Sequence, residues 1–548
     1  MLINTISGRL MHKSEQAAAF ESLPIFNKLV SSMTTHIDHA SVEKSVAQYY
    51  RYAMFSHRWE DYEPLFEQVI RIVVYDLKKS LTHDNLQMFC KIARDAGLHW
   101  AWSDTCCINK ADHFVLQEAL VAMFKWYQGS AVTIVLLRGV RSPSRRGDLV
   151  RSIWNTRAWT FQEYHASKVV RFYNEDWTLY MNVNIPNHKE SPEIISEMEE
   201  ATGISARALM ALRPGLNDIR EKLCLASTRE TTFVEDAAYS LFGIFSTSLP
   251  VVYGEGDQAL GRLLAQLLTS SGYTSILAWS GTSGGFNSCL PGSITVFKQL
   301  PTSHIPSVIT GDEMEKTTAR IRASSLNLTL IMKLYDRLYE LPVPSFLGQR
   351  MKLPCVIFKL GRVSVTQSLS GWIFHAMTDG LGVVEIRTTE DLSHLDSLIL
   401  AHPWIDFLLD RHPVGGVKGK NTNNRSSSNG GSQSSPGPSS VASAVSQTRT
   451  GWLTPSLGWS FGWRATPSYT ASLPAPSSES QMDKQKQALQ LIARLEQRFG
   501  ALLFTPTRQN VAEYRRVAAE SLIKVKVEEI TEAVLNKLVD GVRVLDVL

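Results

Sequence analysis

Three clusters of residues have the types and spacing for chemistry. The first is Tyr52-Ala-Met-Phe-Ser-His-Arg-Trp-Glu-Asp61, a strand pattern running into a polar, aromatic turn. The second is Trp100-Ala-Trp-Ser-Asp-Thr-Cys-Cys-Ile-Asn109, followed by a helix pattern ending Met123-Phe-Lys-Trp-Tyr127. The third is Trp154-Asn-Thr-Arg-Ala-Trp-Thr-Phe-Gln-Glu163. Each sets carboxylates, hydroxyls or cations beside large aromatics at a strand-to-helix junction. A cleft so lined can stack a planar ring and bond its polar edges. Such aromatics also fill cores, and charged residues at element ends also cap helices.

The elements that must position these clusters are legible as alternating strand and helix patterns. Tyr50–Ser56, His99–Ser103, Ala131–Leu137 and Lys168–Tyr173 read as strands. The run AVTIVLL has almost no polar interruption, as in a strand covered on both faces. Between the strands, Asp84–Ala96, Val115–Tyr127 and Trp159–His165 read as helices. In Asp84–Ala96 the residues Leu86, Phe89, Ile92, Ala93 and Ala96 share one side, and Gly97 is a stop signal. This alternation predicts an α/β fold with a parallel sheet flanked by helices. Ligands of such sheets lie beyond the strand carboxyl ends, where Ser56, Asp104 and the turn before Trp159 fall.

The rest of the chain changes character. Residues 181–272 are expected to be a helical extension of the α/β region at 1–180. Residues 273–412 read as a β-rich unit from SILAW, ITVF, RIRASSLNLTLIM, CVIFKL, SGWIF and GVVEIR. From Pro413 to Ser480, 33 of 68 residues are Gly, Pro or Ser. That composition buries too little apolar surface to offset chain entropy, so a disordered linker is expected. Its Trp452, Trp459, Trp463 and Tyr469 are either a short docking motif or stickers in a flexible chain. In residues 481–548, Ala488, Ile492, Leu495, Phe499 and Leu502 recur at helical spacing, as do Leu535, Leu538, Val542 and Leu545. The expectation there is an amphipathic helical tail that packs on the body or on a partner.

Composition narrows the function classes. A 548-residue chain is too long for one core. Its net charge is +4, with +4 on the linker, +2 on the tail and −2 on residues 1–412. A nearly neutral body argues against nucleic-acid binding. Six cysteines without C-x-x-C spacing give neither a disulfide scaffold nor a zinc site, so no metal ligands are assigned. The start MLINTISGRLMHKSEQ lacks an apolar core of signal-peptide length, and no uncharged stretch reads as a membrane span. A cytoplasmic protein is expected. Gly281-Thr-Ser-Gly-Gly285 and Gly458-Trp-Ser-Phe-Gly462 match the serine-hydrolase elbow, but neither has a strand before and a helix after the Ser.

The three clusters, with RETTFVEDAAYSLFGIFSTSLPVVYGEGDQAL at 229–260, resemble the fungal heterokaryon incompatibility (HET) domain. The matching blocks are YAMFSHRWED, WSDTCCINK and WNTRAWTFQEYHASKVVRFY, in the family's order, and the resemblance covers about residues 1–280. Where the family usually has Gly, this chain has Glu60 and Ala158. The resemblance implies a role in fungal non-self recognition and regulated cell death. The family is in turn distantly similar to TIR domains, which implies a TIR/flavodoxin-like sheet. FSHRWED resembles the TIR opening strand and loop, and Trp159-Thr-Phe-Gln-Glu163 the TIR block of a Trp followed shortly by Glu. In active TIR domains that Glu serves cleavage of NAD⁺ at its nicotinamide glycosidic bond.

Breaking that bond builds positive charge on the ribose, which a carboxylate stabilises. The resemblance thus gives Glu163 the catalytic role, with Asp104 assisting or holding the site's shape. Ser56, His57, Arg58, Trp59 and Trp102 form the ligand-binding set. Ser56 and Arg58 would meet phosphates, and Trp59 or Trp102 would stack on a ring. His57 read by itself is a structural hydrogen-bonder, and Glu163 can instead pair with Arg157. Cys106 and Cys107 read as core. No resident cofactor is required, since NAD⁺ would be substrate. The alternative is a non-catalytic module that acts by recruiting protein partners or by self-association, through the α/β domain and the tail.

Overall fold

The computed structural model describes residues 1–32, 39–202, 205–207, 212–298, 311–324, 326–368, 371–378, 380–392, 398–404, 481–507, 512–527 and 529–548. The chain divides into one unit of Met1–Leu408 with Gln487–Leu548, and a second of Leu409–Lys486. Of the second, only residues 481–486 are described, as the start of a helix, Gln481–Leu495. The expected linker at 413–480 lies outside the described residues.

The first sheet has six strands: β1 (Leu2–Asn4), β2 (Leu10–Met11), β3 (Tyr52–His57), β4 (Trp100–Trp102), β5 (Val132–Leu137) and β6 (Val170–Asn174). They run in the order β2-β1-β4-β3-β5-β6. β4, β3, β5 and β6 are mutually parallel. The sheet is not wholly parallel as expected, because β1 and β2 add an antiparallel hairpin on the β4 edge. Leu2–Asn4 and Leu10–Met11 have neither the length for a period-two pattern nor the aromatic pair found in β4.

The apolar run of β5 has a plain cause. Ile134 and Leu136 enter one core, and Val135 and Leu137 enter the core on the opposite face. Alternation along a strand makes both faces apolar when both are covered. The helix Leu81–Asp95 starts at Ser80, whose hydroxyl accepts from His83 N at 3.2 Å. It ends before Gly97, which holds φ +75°. The helix His113–Gly129 starts at Asp112, whose carboxylate accepts from Phe114 N and Val115 N.

The helical region after β6 shares the main core with the sheet. At Gly243 a Cβ would overlap the Phe124 side chain, so this glycine lets the Phe242–Phe245 helix approach the His113–Gly129 helix. The main core continues through Leu353 and Cys355 to Leu545 and Val547.

The second sheet comprises β7 (Ser345–Leu347), β8 (Arg350–Ser368), β9 (Gly371–Thr378), β10 (Gly382–Thr388), β11 (Ile399–Pro403), β12 (Phe499–Pro506), β13 (Glu513–Val517), β14 (Ile523–Val525) and β15 (Val542–Val547). β8, β11, β12, β13 and β15 pair in a closed ring, since β15 bonds both β13 and β8. Closure removes open edges from these five strands.

Two expectations are corrected here. Residues 481–548 are not a helical tail: they contribute β12–β15 and two helices, Gln481–Leu495 and Glu532–Gly541. Phe499 and Leu502 extend the helical spacing by coincidence. They belong to a strand buried along nearly its whole length, which spacing alone cannot tell from a buried helix. The runs SILAW, ITVF and RIRASSLNLTLIM are not strands. The first two form 3-10 turns at Thr274–Leu277 and Ile294–Lys298. The third falls in two helices, Gly311–Ala323 and Leu328–Tyr339. Asn327 caps the latter by accepting from Thr329 N, and Ile331, Leu334, Tyr335 and Leu338 line its buried face.

Candidate functional site

β3 delivers its side chains alternately to its two faces. Phe55 and His57 stack on one another, ring centroids 4.1 Å apart, so Ser56 faces the other way. Ser56 is buried, and its hydroxyl donates a short hydrogen bond to Glu163 Oε2. The Trp154 indole N–H donates to the same hydroxyl at 2.8 Å.

Glu163 is 5% exposed on the nine-residue helix Ala158–Ala166. That helix is pinned at both ends. Near its start, Arg229 Nη1 donates to Asn155 O, Arg157 O and Thr160 Oγ1 at 2.9–3.0 Å. The backbone of Glu230 continues this contact, bonding Thr156 and Ala158. At its end, Lys189 Nζ donates to Tyr164 O and Ser167 O at 2.8 and 2.7 Å. A cation on the last carbonyls also suits the helix dipole.

Burial, reinforced by Asp104, pushes the Glu163 carboxyl up to about 7, although Ser56, Arg157 and His57 oppose this. Tyr127 is also drawn in. It donates to Phe55 O at 3.0 Å, and burial together with Glu163 raises its phenol well above the usual range.

Asp104 sits just past β4. It accepts from Trp59 Nε1 at 2.8 Å, which fixes the plane of that indole. Lys110 Nζ lies 3.5 Å from the centroid of the Trp59 ring. Burial holds the Lys110 ammonium below its ordinary pKa. Trp59 and Arg58 are exposed and line a cavity of about 550 Å³ with Glu60, Asp61, Tyr62 and Leu81.

The predicted site residues therefore occupy three settings. Ser56 and Glu163 touch, and Asp104 acts on Glu163 through its charge. Arg58 and Trp59 are at the cavity. His57 is buried, with Nε2 3.3 Å from Glu63. Burial pulls its pKa down, but Glu63, Asp104 and Glu163 more than offset this and it is raised. Trp102 departs from the expected stacking role: it is 3% exposed, edge-on to Trp126 and Tyr127 within the core. Core neighbours enclose the ring, and it does not line the cavity that holds Arg58 and Trp59. Cys106 and Cys107 are buried.

The two positions that usually carry Gly cause no strain, since neither Glu60 nor Ala158 has positive φ. Glu60 instead accepts from Arg138 Nε at 2.5 Å. Trp154, Tyr127, Arg229 and Lys189 were missed as site residues. Trp154 and Tyr127 belong to the aromatic clusters and Arg229 to the block at 229–260, whereas Lys189 carries no such signal.

Among the described residues, no group of three or more His, Cys, Asp or Glu could hold a metal ion. Among the same residues, no helix is long and apolar enough to cross a membrane.

Residues 52–148 match the model of the family described as Heterokaryon incompatibility protein (HET). The chain is 32% identical over 226 residues to the vegetative incompatibility protein HET-E-1 of Podospora anserina. That alignment covers 39% of this chain and 16% of the relative, so the chain spans under a fifth of the relative's length. No solved structure matches the chain. The family match takes in Ser56, Trp59 and Asp104 and stops short of Trp154 and Glu163. From β3 through the cluster around Asp104 to the strand β5, the chain is thus similar to heterokaryon incompatibility (HET) domains.

Proposed function

We propose that this chain acts in fungal heterokaryon incompatibility, triggers regulated cell death, and does so by hydrolysing NAD⁺ to nicotinamide and ADP-ribose. The observation that carries this reading is the buried Glu163 carboxyl, bound by Ser56 at the carboxyl end of β3. In chain order the parallel strands stand 2-1-3-4. That is the flavodoxin-like order, whose ligands sit where the order reverses, here between β3 and β5. The HET-E-1 relative supports the incompatibility role by its name.

As the N-glycosidic bond lengthens, positive charge grows on the ribose and nicotinamide leaves with the bonding electrons. The ionised Glu163 stabilises that charge, and water then adds to the ribose carbon and gives up a proton. A pKa of about 7 leaves a large ionised fraction at neutral pH. The cleft around Arg58 and Trp59 would receive the rest of the dinucleotide.

A second reading is favoured by the 5% exposure of Glu163. On it the domain is a non-catalytic module that recruits protein partners or self-associates, and Glu163 only holds the core together. NAD⁺ loss with purified protein under conditions that promote self-association separates the two. Turnover that disappears in Glu163→Ala supports hydrolysis. No turnover by the unmodified protein overturns it, and cell death surviving Glu163→Ala favours recruitment.

A further inference from the structure

Tyr62 is an anomaly in the loop after β3. It holds φ +63°, in the left-handed region, and the residue is 90% exposed. A tyrosine there costs free energy that glycine would not, and an exposed ring regains none of it by burial. The loop nevertheless holds this conformation from both sides. Thr82 Oγ1 donates to Tyr62 O at 2.8 Å, and Glu60 N donates to Glu63 Oε1 at 3.0 Å.

The conformation places Tyr62 among the residues that line the cavity with Trp59. The Trp59 indole is locked by its bond to Asp104, and Lys110 occupies one of its faces. A planar ligand can therefore stack only on the other face. Arg58 and Asp61 stand on the same wall, a cation for phosphate and an acceptor for hydroxyls. The cavity, at about 550 Å³, falls within the range of small-molecule sites.

We infer that Trp59 and Tyr62 form an aromatic clamp for the planar heterocycle of a nucleotide, with Tyr62 the side chain that selects it. This rests on the reading of NAD⁺ as substrate and deepens it. Loss of one base-stacking ring weakens binding about 10-fold or more.

The test uses the full chain carrying Glu163→Gln, so that binding is read without turnover. Calorimetric titration with NAD⁺, and separately with AMP, is repeated with Tyr62→Gly and Tyr62→Phe added. The expected result is NAD⁺ binding about 10-fold weaker with Gly and within about 3-fold of the parent with Phe. Glycine relieves the backbone, so the thermal midpoint should not fall, whereas a structural tyrosine would lower it. Unchanged NAD⁺ affinity in Tyr62→Gly overturns the clamp and leaves the hydrolysis reading standing. AMP binding that depends on Tyr62, without NAD⁺ binding, keeps the clamp and removes NAD⁺ as substrate. Binding of neither overturns both.

Discussion

Trp154 donates its indole N–H to Ser56 Oγ at 2.8 Å, and both side chains are buried. An indole nitrogen only donates, and a serine hydroxyl has one hydrogen. The hydrogen of Ser56 is therefore committed to Glu163, and Trp154 is a positioning residue for that bond. Ser56→Ala should raise the Glu163 pKa above about 7, because the lost bond favours the ionised form. It also leaves the Trp154 N–H unpaired, at a cost of roughly 1–3 kcal/mol. Carboxyl ¹³C NMR titration reads the first effect and denaturant unfolding the second. An unmoved Glu163 titration in Ser56→Ala would break the proposed coupling.

The raised Glu163 pKa has a definite sign for stability. The folded protein holds this proton up to about pH 7, while the unfolded chain releases it near 4.5. Folded protein thus binds more protons between those values, and the contribution of Glu163 to stability falls as pH rises through them. The full effect is on the order of 3 kcal/mol, and relaxation or water entry reduces it. Glu163→Gln removes the ionisation. Its unfolding free energy should therefore rise relative to the unmodified protein from pH 5 to pH 8. A difference that is flat with pH would mean that Glu163 titrates normally.

How much of this was readable in sequence depends on the range of the interaction. A stop such as Gly97 acts within a few residues, and it marks the end of its helix close to where it lies. β5 was legible because two covered faces force an apolar run. Ser56 and Glu163 are 107 positions apart, so no spacing rule joins them; the strand-end rule placed Ser56, and the resemblance to a family gave Glu163 its role. Trp154 reads as core by type, and only its N–H direction makes it more than that. Among the strands after residue 498, β12 failed for a physical reason as well. A short strand buried on both faces has no alternation, and β12 inherited the spacing of the helix before it.

Arg229 ties the block at 229–260 to the helix that carries Glu163. Burial lowers its pKa to about 10, partly opposed by Glu163, so it remains a cation at neutral pH. Its Nη1 serves three acceptors at the Asn155–Thr160 turn, and the guanidinium lies 5.2 Å from the Phe161 ring centroid. Arg229→Met keeps bulk and removes every donor. It should cost roughly 2–4 kcal/mol and loosen the turn. Hydrogen exchange should then quicken across Ala158–Ala166 more than across β5. Uniform change over the whole sheet would argue that Arg229 supports the core generally.

Arg516 plays the matching part for the C-terminal region. It lies on β13, 4% exposed, and its guanidinium donates to Leu277 O at 2.9 Å and to Trp279 O at 2.7 Å. The same group sits 3.9 Å from the Trp279 ring centroid. Two carbonyls and an indole face require a planar fork, which an ammonium does not supply. Arg516→Lys should therefore lose roughly 2–4 kcal/mol, nearly as much as Arg516→Met. The strand itself also completes the ring formed by β8, β11, β12 and β15. Ending the chain at residue 480 would remove β12–β15 and expose the edges of β8 and β11. That truncated protein should aggregate or be cut rapidly by protease within residues 345–403. A protease-resistant, monomeric product would mean that the β unit folds without the strands that follow residue 498.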